Sequence, residues 1–461
     1  MKGVGAVILA AGQGKRMRSD IPKVLHCVAG APLVCHVLDA VEAAGITEIV
    51  VVIGQGAEMV RETLSDKDYT FAVQEKQLGT GDAVLKALPY LSGECQEVLV
   101  VCGDTPLLRS ETLEKLVRSR RDTGSSAAVL TSIFDDPKGY GRVIRTEDNM
   151  VEAIVEESDA TIEQKRIQEI NTGSYAFARE ALEATIHHIQ PDNKQGEYYL
   201  TDCIHLLRKA GQPVTAVVAS TAETAGINTR RQLAEAERIL RERECLRLMD
   251  EGVTIYDPST TYIDKGVQVG QDTVIYPFTF LEGKTIVGKG CVLGPGTRLC
   301  SAVLGNGVSI QYSVVVESTI GDQCQIGPYA YLRPGNILAD QVKVGDFVEL
   351  KKTSVGSGSK IPHLSYIGDT IMGARVNIGA GTITCNYDGS HKHKTCIEDG
   401  AFIGSNTNLV APVSVGKDAM IGAGSTITKD VPPASLAVER SKQTVVPNLG
   451  QKKRKKGEHE E

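Results

Sequence analysis

Two hydrophobic rhythms divide the chain. Up to residue 227, short aliphatic runs alternate with amphipathic stretches. The runs at Val4–Leu9, Glu48–Ile53, 98–102, 126–133 and 213–218 predict strands of a largely buried sheet. Between them, 32–44, 57–64, 82–88 and 111–122 carry a helical period, several with acidic or hydroxyl residues near their N-termini. Such alternation predicts a mostly parallel sheet with helices on both faces, an α/β domain over residues 1–228. Residues 229–251 hold no Gly or Pro until the end of the run at Gly252, and their dense, interspersed charge predicts one exposed linker helix, a rigid spacer about 33 Å long.

From Gly252 onward, aliphatic residues recur at every sixth position. Ile263, Val269, Ile275, Leu281, Val287, Leu293 and Leu299 share one register; Val308, Val314, Ile320, Ile326, Leu332, Leu338, Val344 and Leu350 share a second. After short re-phasings at Val355, Ile361, Ile367, Met372 and Ile378, a third register runs Ile397, Ile403, Leu409, Val415, Ile421, Ile427. Many of these residues are followed directly by glycine, as in Val287-Gly288. Period six fits neither a helix nor an ordinary strand. It predicts an all-β domain over 252–461: a β-helix of hexapeptide repeats whose coils stack small aliphatic layers into a narrow core. The stretch between Ile378 and Ile397, which holds ITCNYDGSHKHKT, breaks the rhythm and is expected to project from the coil as a loop.

Composition agrees with this division. Nineteen of the 47 glycines lie in residues 1–251 and 28 in the remainder, and there is no Trp, as layers of Ile, Leu and Val require. With 57 acidic and 50 basic residues, net charge −7, no global field attracts nucleic acid. No apolar run approaches a membrane span and no cleavage site follows the first strand, so a cytoplasmic protein without a membrane partner is expected. Eleven scattered cysteines without a CxxC pair read as small reduced hydrophobes. The segment 451–461, QKKRKKGEHEE, reads as a solvated tail.

Candidate chemistry in the first half begins at the loop LAAGQGKRM, residues 9–17, directly after the first strand. Its glycines let backbone N–H groups approach phosphate, and Lys15 and Arg16 add charge. The glycine spacing is neither a dinucleotide fingerprint nor a P-loop. Pro22-Lys23 follows shortly. Gln74 precedes Gln77-Leu78-Gly79-Thr80-Gly81, and the third long strand ends in Cys102-Gly103-Asp104. A carboxylate at the carboxyl end of a central strand faces the ligand crevice, where Asp104 could hold Mg²⁺ against phosphates; the alternative is a simple turn aspartate.

The motifs LAAGQGKRM, PKVLH, QLGTG, CGDTPLL, GYGRV, INTG, EYYLTD and GIN, in that order, resemble the sugar nucleotidyltransferases. Among them the chain is most similar to the bifunctional family that joins an N-acetylglucosamine-1-phosphate uridylyltransferase to a glucosamine-1-phosphate N-acetyltransferase. The resemblance implies a Rossmann-like nucleotidyltransferase domain and a left-handed parallel β-helix. It implies that Leu9, Ala10, Ala11 and Gly12 contact the nucleotide, that Gln74, Gly79 and Thr80 read uracil, and that Cys102 and Gly103 flank the site. It assigns phosphate neutralisation to Arg16 and Lys23, the sugar to Gly141, Glu156, Asn171 and Asn228, and Mg²⁺ to Asp104 and Asn228. Two departures stand out: Asp82 where the family commonly has His, and Cys102 where an aromatic can occur.

In the second half, bulky polar residues interrupt the hexapeptide economy within the motifs YLRPG, FVELKK, HLSYIGD, NIGAGTITCNYDG and HKHKT. These resemble the acetyltransferase site of the same family. By that resemblance His363 is the base, oriented by Glu349; Arg333, Lys351 and Lys392 bind the sugar phosphate; and Tyr366 and Asn377 bind the sugar. Ala380, Asn386, Tyr387, Ser405, Ala423 and Arg440 would contact acetyl-CoA. The chemistry needs a base, because a protonated amine cannot attack a thioester. Pro362 is a further departure, the family usually having Asn or Gly before that histidine. The family is trimeric with acetyltransferase sites shared between chains, which implies a homotrimer here. The alternative is a monofunctional nucleotidyltransferase whose β-helix only supports oligomers.

Overall fold

The aliphatic runs of the first half pair side by side in the order Val214–Ala219, Ala127–Ile133, Glu169–Ala178, Glu97–Cys102, Val4–Leu9, Glu48–Ile53, Thr70–Val73. The computed structural model describes residues 1–449 and 451, so the charged segment read as a tail lies, apart from Gln451, outside the described residues. The chain divides into two units, Met1–Glu244 and Cys245–Glu461.

In the first unit the strands are buried on both faces, which is why they read as unbroken aliphatic runs. Val7, Val50, Val98 and Val100 belong to one core, while Ala6, Ile8, Val51, Leu99 and Val101, offset by one residue, belong to the other. Pairing is parallel except at Glu169–Ala178, which runs antiparallel to both its neighbours. That strand and the hairpin of Arg142–Arg145 and Val151–Val155 carry no continuous aliphatic run and were not foreseen. The central strand Val4–Leu9 has Glu48–Ile53 on one side and Glu97–Cys102 on the other. The chain thus leaves this strand on one side and later returns on the other, so the loops after Leu9 and Cys102 part above a crevice.

The predicted spacer is a helix, Arg230–Asp250, but it is docked rather than exposed. Ala236 packs with Val28, Leu33, Leu107 and Ile227 in the first unit, where Arg243 also donates to the Leu107 carbonyl at 2.9 Å. Cys245 and Leu248, near its end, belong to the core of the second unit.

That core is a solenoid. Three parallel sheets of 11, 10 and 9 short strands stack coil on coil. Leu281 pairs with Leu299, 18 positions on, and Val287 with Leu304, 17 on, so one coil is three hexads or slightly fewer. The expected aliphatic residues point inward, with one re-phasing: five-residue turns after Leu299 and Ile310 place Leu304, Ile310 and Val315 in the layers, while Val314 turns outward. A second inward file of Thr, Ser, Cys and Val fills the corners. Thr279, Thr382 and Thr407 there donate to the carbonyls of Tyr276, Gly379 and Gly404 at 2.6 to 2.7 Å, which satisfies otherwise costly buried hydroxyls. Close stacking also explains the glycines: a Cβ on Gly288 would lie 2.4 Å from the Gly305 carbonyl oxygen. The expected loop is shorter than the break in the rhythm, because Ile383–Cys385 is still a strand with Thr384 buried in the core position; residues 387–394 project, closed by a bridge between Tyr387 and Lys392.

Candidate active sites

In the first unit a cleft of about 340 Å³ opens at the crevice between the two central loops. Leu9, Ala11, Gly12, Lys23, Gln74, Gly79, Thr80, Cys102 and Asp104 line it, with Ala10 and Gly103 on the adjoining backbone. Arg16 is exposed on the short turn Lys15–Met17 that follows the glycine loop. Gly79 turns sharply into the helix Thr80–Ala87 at φ +115°; a Cβ there would meet the Tyr198 backbone at 2.5 Å. The segment around Tyr198 is fastened by Gly81 N–H to the Tyr198 carbonyl and by Leu200 N–H to the Thr80 hydroxyl.

Gln74 is buried, and its amide nitrogen donates to both the Gly79 carbonyl at 2.9 Å and Asp82 at 2.8 Å. With both N–H groups committed, Oε1 is left as an acceptor. Asp82, the departure from the family pattern, is therefore one of the two anchors of Gln74. Cys102 is a passive wall, since burial pushes its thiol up to about 12.

At the other side, Lys23 is salt-bridged to Asp104 and donates to Asn228 Oδ1 at 3.0 Å. Asn228 is brought there because Ile227 N–H bonds the Asp104 carbonyl at 2.9 Å and Gln232 Oε1 accepts from the Asn228 N–H at 2.8 Å. A carboxylate and an amide oxygen thus converge on one cation. Among the described residues no cluster of three or more His, Cys, Asp or Glu side chains gathers to hold a metal.

Gly141, Glu156 and Asn171 form a third group. Asn171 N–H bonds the Gly141 carbonyl, and its amide donates to the Tyr175 hydroxyl at 2.6 Å. The missing side chain of Gly141 leaves room for the Glu156 carboxylate, whose oxygens would lie 3.2 to 3.3 Å from a Cβ there. Burial raises Glu156 to about 7; the Thr201 hydroxyl opposes this, and Asp159, Asp202 and Glu197 add to it. Gln77 and Glu197 also line the cleft and went unassigned in the sequence reading.

In the second unit the candidates fall into three clusters. Arg333 pairs with Glu349 at 3.1 Å, and Glu349 is in register with Tyr366 on the next coil. Lys351 pairs with Asp369 at 2.9 Å, and Asp369 also accepts from Asn386 at 2.5 Å. Burial works against the Lys351 charge, but Asp369 prevails and raises it; Lys392 beside it is lowered by the Lys351 charge. Two ammonium groups lying this close, one of them paired with Asp369, suit a phosphate dianion. Ala380, Ser405 and Ala423 follow the in-register strand residues Asn377, Phe402 and Met420 by three positions each, and so mark one corner of three successive coils. Arg440 donates to the Ala423 carbonyl at 3.1 Å. Tyr387 is exposed on the projecting loop.

One expectation is corrected here. Glu349 does not orient His363: it lies in a different sheet and is engaged by Arg333. The carboxylate on the imidazole is Asp346, whose Oδ1 lies 2.5 Å from His363 Nδ1. Asp346 and Asp369 were both missed, although each stands one coil, 17 or 18 residues, from a residue that had been singled out. The coil period itself is the signal that finds them.

Comparison with known proteins covers both units. The MobA-like NTP transferase domain matches residues 6–244, the GMPPB C-terminal domain residues 258–356, and the bacterial transferase hexapeptide family, with six repeats, residues 396–429. The chain is 56% identical over 449 residues to the bifunctional protein GlmU of Heliobacterium modesticaldum, covering 97% of this chain and 98% of the relative. It is 57% identical over 454 residues to that of Pelotomaculum thermopropionicum, covering 98% and 99%. It is 49% identical over 448 residues to that of Syntrophomonas wolfei, covering 97% and 100%.

Proposed function

The chain belongs to the bifunctional GlmU family, and from that premise we propose how its two sets of residues share the work. It is a bifunctional enzyme that makes UDP-N-acetylglucosamine: the left-handed β-helix transfers acetyl from acetyl-CoA to glucosamine 1-phosphate, and the nucleotidyltransferase domain then joins the product to UTP and releases pyrophosphate. Similarity over nearly the whole chain to relatives named as bifunctional, with a transferase domain and hexapeptide repeats matched in this chain, is the observation behind this conclusion.

For uridylyl transfer the sugar phosphate is already a nucleophile, so no protein base is required; the site works by positioning and charge neutralisation. Gln74 Oε1 accepts from the N3–H of uracil, a donor that cytosine lacks, and the loop Leu9 to Gly12 receives the nucleotide. Gly141, Glu156 and Asn171 hold the sugar, and Arg16 and Lys23 neutralise phosphate. The oxygens of Asp104 and Asn228 already share the Lys23 ammonium, a hard, oxygen-only donor set that fits Mg²⁺, which keeps most of its shell for water and phosphate. Bound there, Mg²⁺ would neutralise charge developing on the phosphates. Lys23 would neutralise phosphate beside it.

For acetyl transfer, the sugar ammonium gives up one proton to solvent; the free amine attacks the thioester carbon while His363 takes its N–H proton, the carbon–sulfur bond breaks, and the imidazolium passes that proton to the leaving thiolate. Arg333, Lys351 and Lys392 bind the phosphate, with Tyr366 and Asn377 on the sugar. Ala380, Asn386, Tyr387, Ser405, Ala423 and Arg440 receive acetyl-CoA, with Ser405 as the donor to the developing oxyanion.

A homotrimer with shared acetyltransferase sites is part of this reading. Tyr312, Tyr329, Phe347 and Leu364 stack on one corner of successive coils, all exposed and all at positive φ. Bulky residues adopt that backbone at a cost and bury little in a single chain, which supports a second copy covering them. Phe347 and Leu364 directly follow Asp346 and His363, so such a contact would border the proposed base. No helix among the described residues is long and apolar enough to cross a membrane; a cytoplasmic enzyme is the reading that free thiols at Cys95, Cys203, Cys291 and Cys324 support.

Purified protein assayed separately for CoA-thiol and pyrophosphate release tests the assignment. His363→Ala should abolish the first and spare the second, and Asp104→Ala should do the reverse. Loss of both activities from either change in a folded protein refutes the division, and absence of CoA release from the wild type would leave the β-helix a scaffold.

A further inference from the structure

We propose that Asp346 is the positioning residue of the acetyl-transfer site: its carboxylate accepts the Nδ1 hydrogen of His363 and so holds the neutral imidazole as the tautomer whose Nε2 can take the amine proton. The proposal rests on the reading of His363 as the base.

The pair is built by the solenoid rather than by a chance rotamer. Most strands of the β-helix are two or three residues long, but Lys343–Asp346 and Lys360–His363 each extend to four, and the ladder between them continues until Asp346 stands opposite His363. The residues just before the pair are locked against each other. A Cβ on Gly345 would lie 1.8 Å from the Pro362 carbonyl oxygen, so only glycine lets the two strands approach this closely. Pro362 fixes its own φ and keeps Ile361 extended, which stiffens the backbone leading into His363. The proline that departs from the family pattern and the glycine beneath it thus form one device that presents the imidazole to the carboxylate.

Nδ1 of His363 lies 2.5 Å from Asp346 Oδ1. The His363 hydrogen bond, helped by Asp346's own backbone N–H, holds the Asp346 carboxyl below the usual carboxylate range. It is therefore an anion wherever acetyl transfer proceeds. Other charged groups on the packed strands are Lys343 beneath and Lys360 on the same strand, three positions back and in register with each other; the strand above, Asn377–Ile378, carries no charge. A carboxylate on one ring nitrogen raises the basicity of the other and stabilises the imidazolium that forms when the proton arrives. Glu349 cannot supply this, being occupied by Arg333 in the neighbouring sheet.

The test uses the full-length enzyme and two variants, Asp346→Asn and Asp346→Ala, with CoA-thiol release followed from about pH 5.5 to 9 and pyrophosphate release as an internal control. The pair is half-exposed, which limits the effect. Asparagine can still accept from Nδ1–H but lacks the charge, so the acid limb of the acetyl-transfer profile should move to lower pH. Alanine also releases the ring, and kcat should fall about tenfold further while KM for acetyl-CoA and pyrophosphate release stay unchanged. A wild-type profile and kcat in both variants overturns the proposal. So does a fall in kcat without movement of the acid limb, because that would make Asp346 a structural residue only. If His363→Ala keeps acetyl transfer, the reading of His363 as the base falls instead.

Discussion

Glu156 should make the folded enzyme less stable as the solution turns from acid to neutral, and replacing it should remove that burden. The cause is burial of its carboxyl, which raises its titration from the usual 4.5 to about 7. Below about pH 4.5 the group is protonated in folded and unfolded chains alike and contributes nothing. Between there and about pH 7 the unfolded chain gives up the proton while the folded one retains it, so stability falls through this window and stays level above it. At about 1.4 kcal/mol per pH unit the full cost is about 3 kcal/mol, a ceiling because the cleft is open to water. Glu156→Gln keeps the shape and removes the charge. For a unit of this size a gain of about 2 kcal/mol corresponds to a rise of about 5 °C in Tm at pH 8, with almost no change at pH 4.5. Scanning calorimetry of the full chain at both pH values reads this directly, the nucleotidyltransferase transition being the one that UTP shifts upward. An equal gain at both pH values, or a loss at pH 8, would refute the reasoning. The same variant should raise KM for N-acetylglucosamine 1-phosphate, since a carboxylate held at such cost is retained for the ligand it meets.

Two further outcomes follow from the packing. Asp82→Ala leaves Gln74 with one anchor instead of two; at about 1 kcal/mol for the lost hydrogen bond, KM for UTP should rise about fivefold and discrimination against CTP should narrow, and unchanged kinetics with both nucleotides would sink the assignment. Ile310→Ala opens a void between the layers of Leu293 and Ile326 and should cost about 2 to 5 kcal/mol in the unfolding of the β-helix while pyrophosphate release persists; a loss below about 1 kcal/mol would mean the core collapses around the gap.

What could be read from sequence depended on how periodic each feature is. The hexad made the solenoid legible because each aliphatic residue fills the same slot one turn later, and a five-residue turn was enough to hide Val315 behind Val314. Thr279 and Thr382 looked polar and therefore external, yet their hydroxyls are satisfied within the corner and they fill it by volume. Glu169–Ala178 escaped because its polar residues Asn171 and Thr172, and the break in its ladder between Asn171 and Tyr175, interrupt the aliphatic run. The places of the glycine loop and Asp104 at the cleft were legible, since strand ends in such sheets face the crevice. The partners of His363 and Lys351 were not, because motif reading follows the chain while a coil brings together residues 17 or 18 apart.

A stack in which each coil touches only the next behaves as a rod with graduations. The coils before Arg333 carry none of the candidate catalytic or ligand-binding side chains, so their number is a free length, adjustable in steps of about 4.8 Å without touching the chemistry. Above Arg333 the same rod is phase-locked: adding one residue would turn Asp346 away from His363, whereas adding a full turn of the coil below them would leave the pair intact. Length variation tolerated in such a domain should therefore come in quanta of 17 or 18 residues, and the single-residue change, the smallest in sequence, should be the largest in consequence.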